Sequence, residues 1–239
     1  MIEVAEITGR GGRTYNEDTV RVERRDDAVC VIVADGLGSC GGGEIASKCA
    51  ADIVMQQFLN NQLHDRQDVE EAFHLADSAV KKQQTQECEM KTTMAMLLLE
   101  NNEALRAHVG DTRIYRFRNA ELFEQTLDHS VSQMAVLMNE ISQSQIRFHD
   151  DRSKVLRALG SDSAEPEVSG PVKLEKEKGF HAFLLCTDGF WEYVYESEMA
   201  AILKQAHTPE EWLQGMLLHL EKRAPKNNDN FTAAAVFVA

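Results

Sequence analysis

The chain has 239 residues and a formal net charge of −14, from 25 basic and 39 acidic side chains. Such an acidic surface repels phosphate backbones and anionic headgroups, so we expect neither nucleic acid nor a membrane surface to be a main partner. Hydrophobic residues make up 43% of the chain, which is ordinary for a globular protein and excludes a disordered one.

The apolar pattern opens with short strands, and two amphipathic helical patterns follow them. The strands are predicted at Ile2–Thr8, Thr19–Glu23 and Ala28–Ala34, and the helices at Gly43–Leu59 and Val69–Gln84.

A second group of strands follows the helices, at Thr92–Leu99, Ala104–His108, Arg113–Arg118 and Glu121–Gln125. The polar or glycine-containing pairs between them predict hairpin turns. These pairs are Asn101-Asn102, Gly110-Asp111 and Arg118-Asn119.

Residues 130–160 are irregularly helical and rich in Ser, Gln and Met. The last third of the chain is predicted to hold strands at Glu167–Leu174, Phe180–Cys186 and Phe231–Val238, and helices at Ser197–Gln205 and Pro209–Lys222. Runs of adjacent strands interrupted by helix pairs indicate an antiparallel α+β protein, because a parallel sheet requires βαβ alternation. The length suits one domain, residues 1–239, with two packed sheets.

The five cysteines are odd in number and form no C-x-x-C pair, which disfavours a disulfide framework or a thiolate zinc site. Together with an N-terminus that lacks the layout of a secretion signal, this cysteine usage predicts a cytoplasmic protein. Cys30 and Cys186 lie in apolar runs and are expected in the core. No cysteine is followed six residues later by arginine, so the cysteine-dependent phosphatases, which hold phosphate with that arginine, are excluded.

Five aspartates lie beside predicted strands. Because the end of one strand and the start of its antiparallel neighbour share a sheet edge, we expect these carboxylates to converge. Converging carboxylates repel one another unless a cation neutralises them, and an all-oxygen ligand set suits Mg²⁺ or Mn²⁺ better than zinc. For any single aspartate, the alternative is an ordinary turn residue. The five are Asp18, Asp35, Asp111, Asp188 and Asp229.

Short motifs in a fixed order surround these aspartates. They are Arg13-Thr-Tyr-Asn-Glu-Asp18, Asp35-Gly-Leu-Gly-Ser-Cys-Gly-Gly-Gly-Glu-Ile-Ala-Ser47, Gly110-Asp-Thr-Arg113, Leu127-Asp-His-Ser130, Ser153-Lys-Val-Leu-Arg-Ala-Leu-Gly160, Cys186-Thr-Asp-Gly-Phe-Trp-Glu192 and Asp229-Asn-Phe-Thr232. Each motif alone is weak, but the ordered set is specific. The chain resembles the metal-dependent Ser/Thr protein phosphatases of the protein phosphatase 2C family, bacterial type. The resemblance implies a four-layer αββα sandwich of two antiparallel β-sheets flanked by helix pairs.

The resemblance also implies two divalent ions, Mg²⁺ or Mn²⁺, and a weaker third. A hydroxide that bridges the first two ions would attack phosphorus directly, without a phosphoenzyme intermediate. Asp35 would bridge both ions, the Gly36 carbonyl would bind the second, and Asp188 and Asp229 would hold the first. Asp111, together with Asp188, would hold the third ion.

The remaining site residues have supporting roles in the family. Glu17 and Asp18 would act mostly through metal-bound waters, and Asn230 would support the neighbouring Asp229. Arg13 would clamp the phosphate through a bidentate guanidinium, although a solvated arginine in a glycine-rich loop is the ordinary alternative. Arg13, Asp35, Asp188 and Asp229 are thus the expected catalytic residues.

Residues 128–160 match the flap that borders the catalytic cleft in this family. Its His129, His149 and Arg152 are individually expected to be surface or structural residues. Two departures put the general acid in doubt. Leu37 stands where animal members carry a histidine, and Cys40 stands where many bacterial relatives carry one. Metal-bound water could protonate the leaving alkoxide instead. Neither departure removes an expected metal ligand, so we still expect activity.

The implied partners are phosphorylated proteins that a Ser/Thr kinase has modified, and we expect a monomer. Three alternatives stay open. The glycines Gly36, Gly38 and Gly41 formally match a dinucleotide-binding fingerprint, although Asp35 would face an anionic pyrophosphate and βαβ units are missing. The domain could instead bind a partner without catalysis, or it could hydrolyse a small phosphorylated metabolite.

Overall fold

The computed structural model describes residues 1–38, 41–175 and 179–238, and these contain ten strands in two antiparallel sheets. One sheet has the strand order β1-β10-β9-β6-β7, and the other has the order β2-β3-β4-β5-β8. The strands are β1 (Ile2–Gly9), β2 (Thr19–Arg25), β3 (Ala28–Leu37), β4 (Lys91–Glu100), β5 (Glu103–Val109), β6 (Arg113–Arg118), β7 (Glu121–Gln125), β8 (Glu167–Lys173), β9 (His181–Cys186) and β10 (Phe231–Val238).

Helices cover the outer faces of both sheets. The described helices are α1 (Gly43–Leu59), α2 (Arg66–Gln83), α3 (Val131–Leu137), α4 (Asp188–Trp191), α5 (Glu196–Leu203) and α6 (Pro209–Arg223), with a 3-10 helix at Gln143–Phe148. The helix α2 begins three residues earlier than predicted because the Asp65 carboxylate accepts hydrogen bonds from the backbone N–H groups of Gln67 and Asp68. Among the described residues, none of the helices combines the length and the apolar character that crossing a bilayer requires.

The alternating side chains of β3 show how the layers form. Val29, Val31 and Val33 pack between the two sheets, whereas Cys30 and Ile32 face the layer of α1 and α2. A strand that is buried on both faces has a continuous run of apolar residues, and this run is the pattern that predicts β3 from the sequence. The predicted α+β sandwich with two antiparallel sheets is confirmed.

A separate apolar layer lies between the other sheet and α5 and α6. Trp212 and Met216 of α6 pack there against the side chains of β9 and β10 that face the helices. Cys186 at the end of β9 belongs to this layer, and both it and Cys30 are fully buried, as expected.

The turn at Gly110-Asp111 does not close a hairpin, contrary to the prediction. β5 pairs with β4 and β8, whereas β6 pairs with β7 and β9, so this turn carries the chain from one sheet to the other. The crossing brings Asp111 to the edge where both sheets end.

The hairpin at Asn101-Asn102 is confirmed, with both residues at positive φ, as a type I′ turn requires. The turn between β6 and β7 is centred one residue later than predicted, at Asn119-Ala120.

Candidate active site

A cleft of about 230 Å³ opens where the strand ends of both sheets meet the flap. It collects residues from the N-terminal loop, the end of β3, the crossing turn, α4, the loop before β10 and the flap. The lining residues are Arg13, Glu17, Asp35, Gly36, Leu37, Gly38, Asp111, Ser153, Val155, Asp188, Asp229 and Asn230. Nearly all of the predicted site residues therefore face one space.

Asp35 and Gly36 form the floor of the cleft near the end of β3. Asp35 pairs with Thr93 of β4, and its carbonyl accepts a hydrogen bond from the Thr92 hydroxyl at 2.8 Å. A Cβ on Gly36 would lie 2.2 Å from the Gly43 carbonyl oxygen, so only glycine allows the start of α1 to approach this strand so closely. The packing fixes the Gly36 backbone beside the Asp35 carboxylate.

A second close approach brings Asp188 to Asp229. A Cβ on Gly189 would lie 1.9 Å from the Asn230 carbonyl oxygen, so glycine lets the first turn of α4 rest against the entry to β10. Asp188 begins α4 and Asp229 precedes β10. Two carboxylates that are 41 positions apart in the sequence thus line the same wall.

The buried Asn230 side chain ties the N-terminal loop to this wall. Its Nδ2 donates to the carbonyls of Arg10 and Tyr15 at 2.9 and 2.8 Å. Its Oδ1 accepts a hydrogen bond from the Glu17 backbone N–H at 2.8 Å. All of its side-chain hydrogen-bonding atoms are thereby used to place Arg13 and Glu17, which lie within the loop.

Asp18 lies behind the cleft and does not line it. The Thr187 hydroxyl donates to its Oδ2 at 3.0 Å, while its Oδ1 is buried without a hydrogen-bond partner among the described residues. An orphaned carboxylate oxygen is costly in a protein interior. A cation, or water held by one, would satisfy it.

The carboxylates of this region are buried close to one another, which makes their charged forms unfavourable. Burial raises the pKa of Asp18 and of Asp111 to about 7 each. The pKa values of Asp35 and Asp188 are also well above the ordinary value, first because of burial and then because of repulsion from neighbouring carboxylates. Divalent cations relieve both effects. The oxygen-only donor set and the orphaned oxygen of Asp18 therefore fit hard divalent ions.

Arg13 is a basic residue that lines the cleft. Its Nη2 donates to Asp229 Oδ2 at 2.7 Å, and both side chains are about half exposed. The guanidinium is thus held at the cleft by a carboxylate that is itself an expected metal ligand. It has further N–H groups that can face a phosphate.

The flap contributes Ser153 and Val155 to the lining. Both belong to the Ser153–Gly160 motif, but the sequence predicted no role in the site for either. The three flap residues expected to be structural lie outside the described lining. Arg152 pairs with Glu192 at 2.7 Å, and His149 Nδ1 accepts a hydrogen bond from the Asp151 backbone N–H.

His129 belongs to a separate group of possible metal ligands with His108 and Glu167, whose donor atoms lie within 4.8 Å of one another. The Gly110 backbone N–H donates to His129 Nδ1 at 3.1 Å. The proton of the neutral ring is therefore on Nε2, the atom that faces Glu167. With its proton on Nε2, the neutral ring has no free lone pair on that atom for a cation, and Nε2 lies 3.8 Å from Glu167 Oε2, which is an electrostatic contact and not a hydrogen bond.

Comparison with known proteins decides the family. The sequence matches the protein phosphatase 2C family over residues 10–227. The chain belongs to the protein phosphatase 2C family. It is therefore a metal-dependent phosphoprotein phosphatase, as the ordered motifs predicted.

Individual relatives agree with this assignment. The chain is 31% identical over 211 residues to the serine/threonine phosphatase stp of Listeria monocytogenes, covering 84% of this chain and 82% of the relative. The crystal structure of the Mycobacterium tuberculosis serine/threonine phosphatase PstP/Ppp superposes with a TM-score of 0.84 and 26% identity, over 98% of this chain and 97% of the other. The catalytic domain of PstP in complex with two manganese ions superposes with a TM-score of 0.82 and 25% identity, over 100% of this chain and 99% of the other.

Proposed function

We propose that this protein removes phosphate from phosphoserine and phosphothreonine side chains of proteins that a Ser/Thr kinase has modified. The observation that carries the proposal is the convergence of Asp35, Asp188 and Asp229 with Arg13 on one cleft. The serine/threonine phosphatases among its relatives support the choice of substrate.

Two Mg²⁺ or Mn²⁺ ions fit the carboxylates of the cleft. Asp35 and the Gly36 carbonyl, with Asp188 and Asp229, would hold them, and Asp111 would share a weaker third ion with Asp188. When bound, the ions would neutralise the phosphate charge and lower the pKa of water, so that hydroxide forms near neutral pH. The relative whose structure contains two manganese ions supports this assignment.

The chain's own residues would bind and orient the substrate. Arg13 would donate to two phosphate oxygens and align the phosphorus for in-line attack. Glu17 and Asp18 would accept hydrogen bonds from ordered water, and Asn230 would keep the loop that carries Arg13 and Glu17 in place.

The leaving alkoxide needs a proton. Leu37 lines the cleft and has no proton to give, and Cys40 lies outside the described residues. We propose that a water molecule in the cleft supplies this proton.

We further propose that residues 1–239 form one catalytic domain, with residues 128–160 as its flap, and that it acts as a monomer in the cytoplasm without nucleic-acid or membrane partners. The acidic net charge supports the last point. The cysteines Cys30, Cys49 and Cys186 are free thiols, which agrees with a reducing compartment.

The proposal is tested by hydrolysis of a phosphothreonine peptide with Mn²⁺, with EDTA, and by the variant Asp35→Asn. We expect turnover to disappear in both, because EDTA removes the ions and Asp35→Asn removes a carboxylate that would hold them. Asp52→Asn is the matched control, since Asp52 pairs with Arg21 on the surface outside the cleft. Undiminished turnover in EDTA or in Asp35→Asn would overturn the mechanism. Faster hydrolysis of sugar phosphates than of the peptide would indicate a metabolite phosphatase instead.

A further inference from the structure

A buried arginine of the flap binds the segment that follows Asp188. The Arg147 side chain, from the 3-10 helix of the flap, is only 5% exposed. Its Nη1 donates to the Trp191 carbonyl at 2.6 Å, and also reaches the carbonyls of Glu192 and Val194 at 3.4 and 3.3 Å. One guanidinium group thus contacts three carbonyls within four residues of backbone.

These carbonyls need an outside partner because α4 is a single turn. A four-residue helix leaves its last carbonyls without partners inside the helix, and so short a helix is not stable by itself. Asp188 is the first residue of α4 and Trp191 is the last. Because α4 is so short, a contact that fixes its last residue, Trp191, also fixes the orientation of its first residue, Asp188.

The position of Arg147 is itself precisely determined. Its Nη2 donates to both carboxylate oxygens of Glu196, at 2.6 and 2.7 Å, and the guanidinium lies 4.7 Å from the centre of the Tyr195 ring. Nη2 binds the carboxylate and Nη1 binds the carbonyls, so the two ends of the planar guanidinium serve different partners. A lysine ammonium cannot form both sets of contacts at once.

The other side of α4 is tied to the crossing turn. The Trp191 indole Nε1 donates to the Asp111 carbonyl at 3.0 Å, and the Arg113 guanidinium lies 3.5 Å from the centre of the indole ring. Trp191 therefore stands between Asp111 and Asp188, and Arg147 holds Trp191 from the flap.

We infer that Arg147 is a positioning residue that docks the flap onto α4 and so holds Asp188 in its metal-binding position. The inference rests on the proposed function, in which Asp188 holds a divalent ion. It also gives the flap a role in metal binding: a flap that is displaced from α4 would weaken the site.

The test compares Mn²⁺ affinity, measured by calorimetry, in the wild type, in Arg147→Lys and in the matched control Arg152→Gln. Arg152 also joins the flap to this segment, through Glu192, but its side chain is 40% exposed and makes a single ion pair. We expect Arg147→Lys to bind Mn²⁺ about tenfold more weakly, as the loss of a group that orients a metal ligand does, and Arg152→Gln to change affinity much less. Excess Mn²⁺ should restore phosphopeptide turnover in Arg147→Lys, whereas lost folding would not be restored in this way.

Wild-type Mn²⁺ affinity in a folded Arg147→Lys protein would overturn the inference while leaving the proposed function intact. A wild type that binds no Mn²⁺ or leaves the phosphopeptide intact would instead contradict the proposed function. If Arg147→Lys does not fold, hydrogen exchange on the wild type decides. Mn²⁺ should slow exchange in residues 143–149 together with residues 188–194, and protection confined to residues 188–194 would refute the docking role.

Discussion

Arg13 and Asp229 form an ion pair inside the cleft, with Arg13 Nη2 and Asp229 Oδ2 2.7 Å apart. One partner is the proposed phosphate clamp, and the other is a proposed metal ligand. The pair therefore connects the two binding tasks of the site. A divalent cation held by Asp229 would compete with Arg13 for that carboxylate, and the N–H groups of Arg13 would then be available for phosphate.

Arg13→Ala is expected to lower the catalytic efficiency toward a phosphopeptide and to raise the affinity for Mn²⁺. Turnover of a phosphopeptide should fall by about 100-fold in kcat/KM, because a charged donor to the transferred phosphoryl group is lost. Mn²⁺ affinity, measured by calorimetry without substrate, should rise, because the Asp229 carboxylate loses its neutralising partner. Arg21→Ala, which removes an arginine that pairs with Asp52 outside the cleft, is the control for net charge. Weaker Mn²⁺ binding in Arg13→Ala than in this control would contradict the competition.

Much of the site could be predicted from local sequence because its carboxylates follow or precede strongly apolar strands. Asp35 and Asp188 each end such a run and are followed by glycine, and the close packing at Gly36 and Gly189 explains why glycine is needed there. The order of motifs then identified the family.

Two features could not be predicted, because both depend on distant pairing. A strand, a Gly110-Asp111 turn and another strand form the same local pattern whether the strands pair with each other or not. Their separation into two sheets depends on β8 and β9, which follow much later in the chain. Arg147 likewise lies in a polar, irregular segment, and its partners are 44 to 49 residues away. Nothing in its immediate neighbours distinguishes it from a surface arginine.

The metal-free protein is expected to lose stability as the pH rises. The folded-state pKa values of Asp18 and Asp111 are about 7, against an ordinary 3.8. A carboxyl group with a raised pKa binds its proton more tightly in the folded state, so its stabilisation is complete below the unfolded pKa and is lost as the pH rises through the folded value. The loss should therefore develop between about pH 4 and about pH 7.

Asp35→Asn checks this dependence, because it removes one of the repelling charges. In EDTA at alkaline pH, the variant should melt at a higher temperature than the wild type, and the difference should shrink in acid. Added Mn²⁺ should reverse the order, since only the wild type keeps the complete site. Melting curves followed by circular dichroism measure both effects. A variant that melts below the wild type in alkaline EDTA would show that carboxylate repulsion does not limit the stability of the metal-free protein.

The pair of Arg113 and Asp128 should be among the most sensitive positions for folding. Their side chains are 2% and 1% exposed, and Arg113 Nε and Nη2 each donate to a different oxygen of Asp128 at 2.7 Å. Asp128→Leu leaves the guanidinium buried without its main counter-ion, and we expect a loss of about 3–5 kcal/mol in the free energy of unfolding. The double variant Arg113→Met/Asp128→Leu removes both charges and should be destabilised less than Asp128→Leu alone. Urea unfolding of the two variants and the wild type measures the difference, and a double variant no more stable than Asp128→Leu would argue that the lost hydrogen-bond geometry, and not the buried charge, dominates.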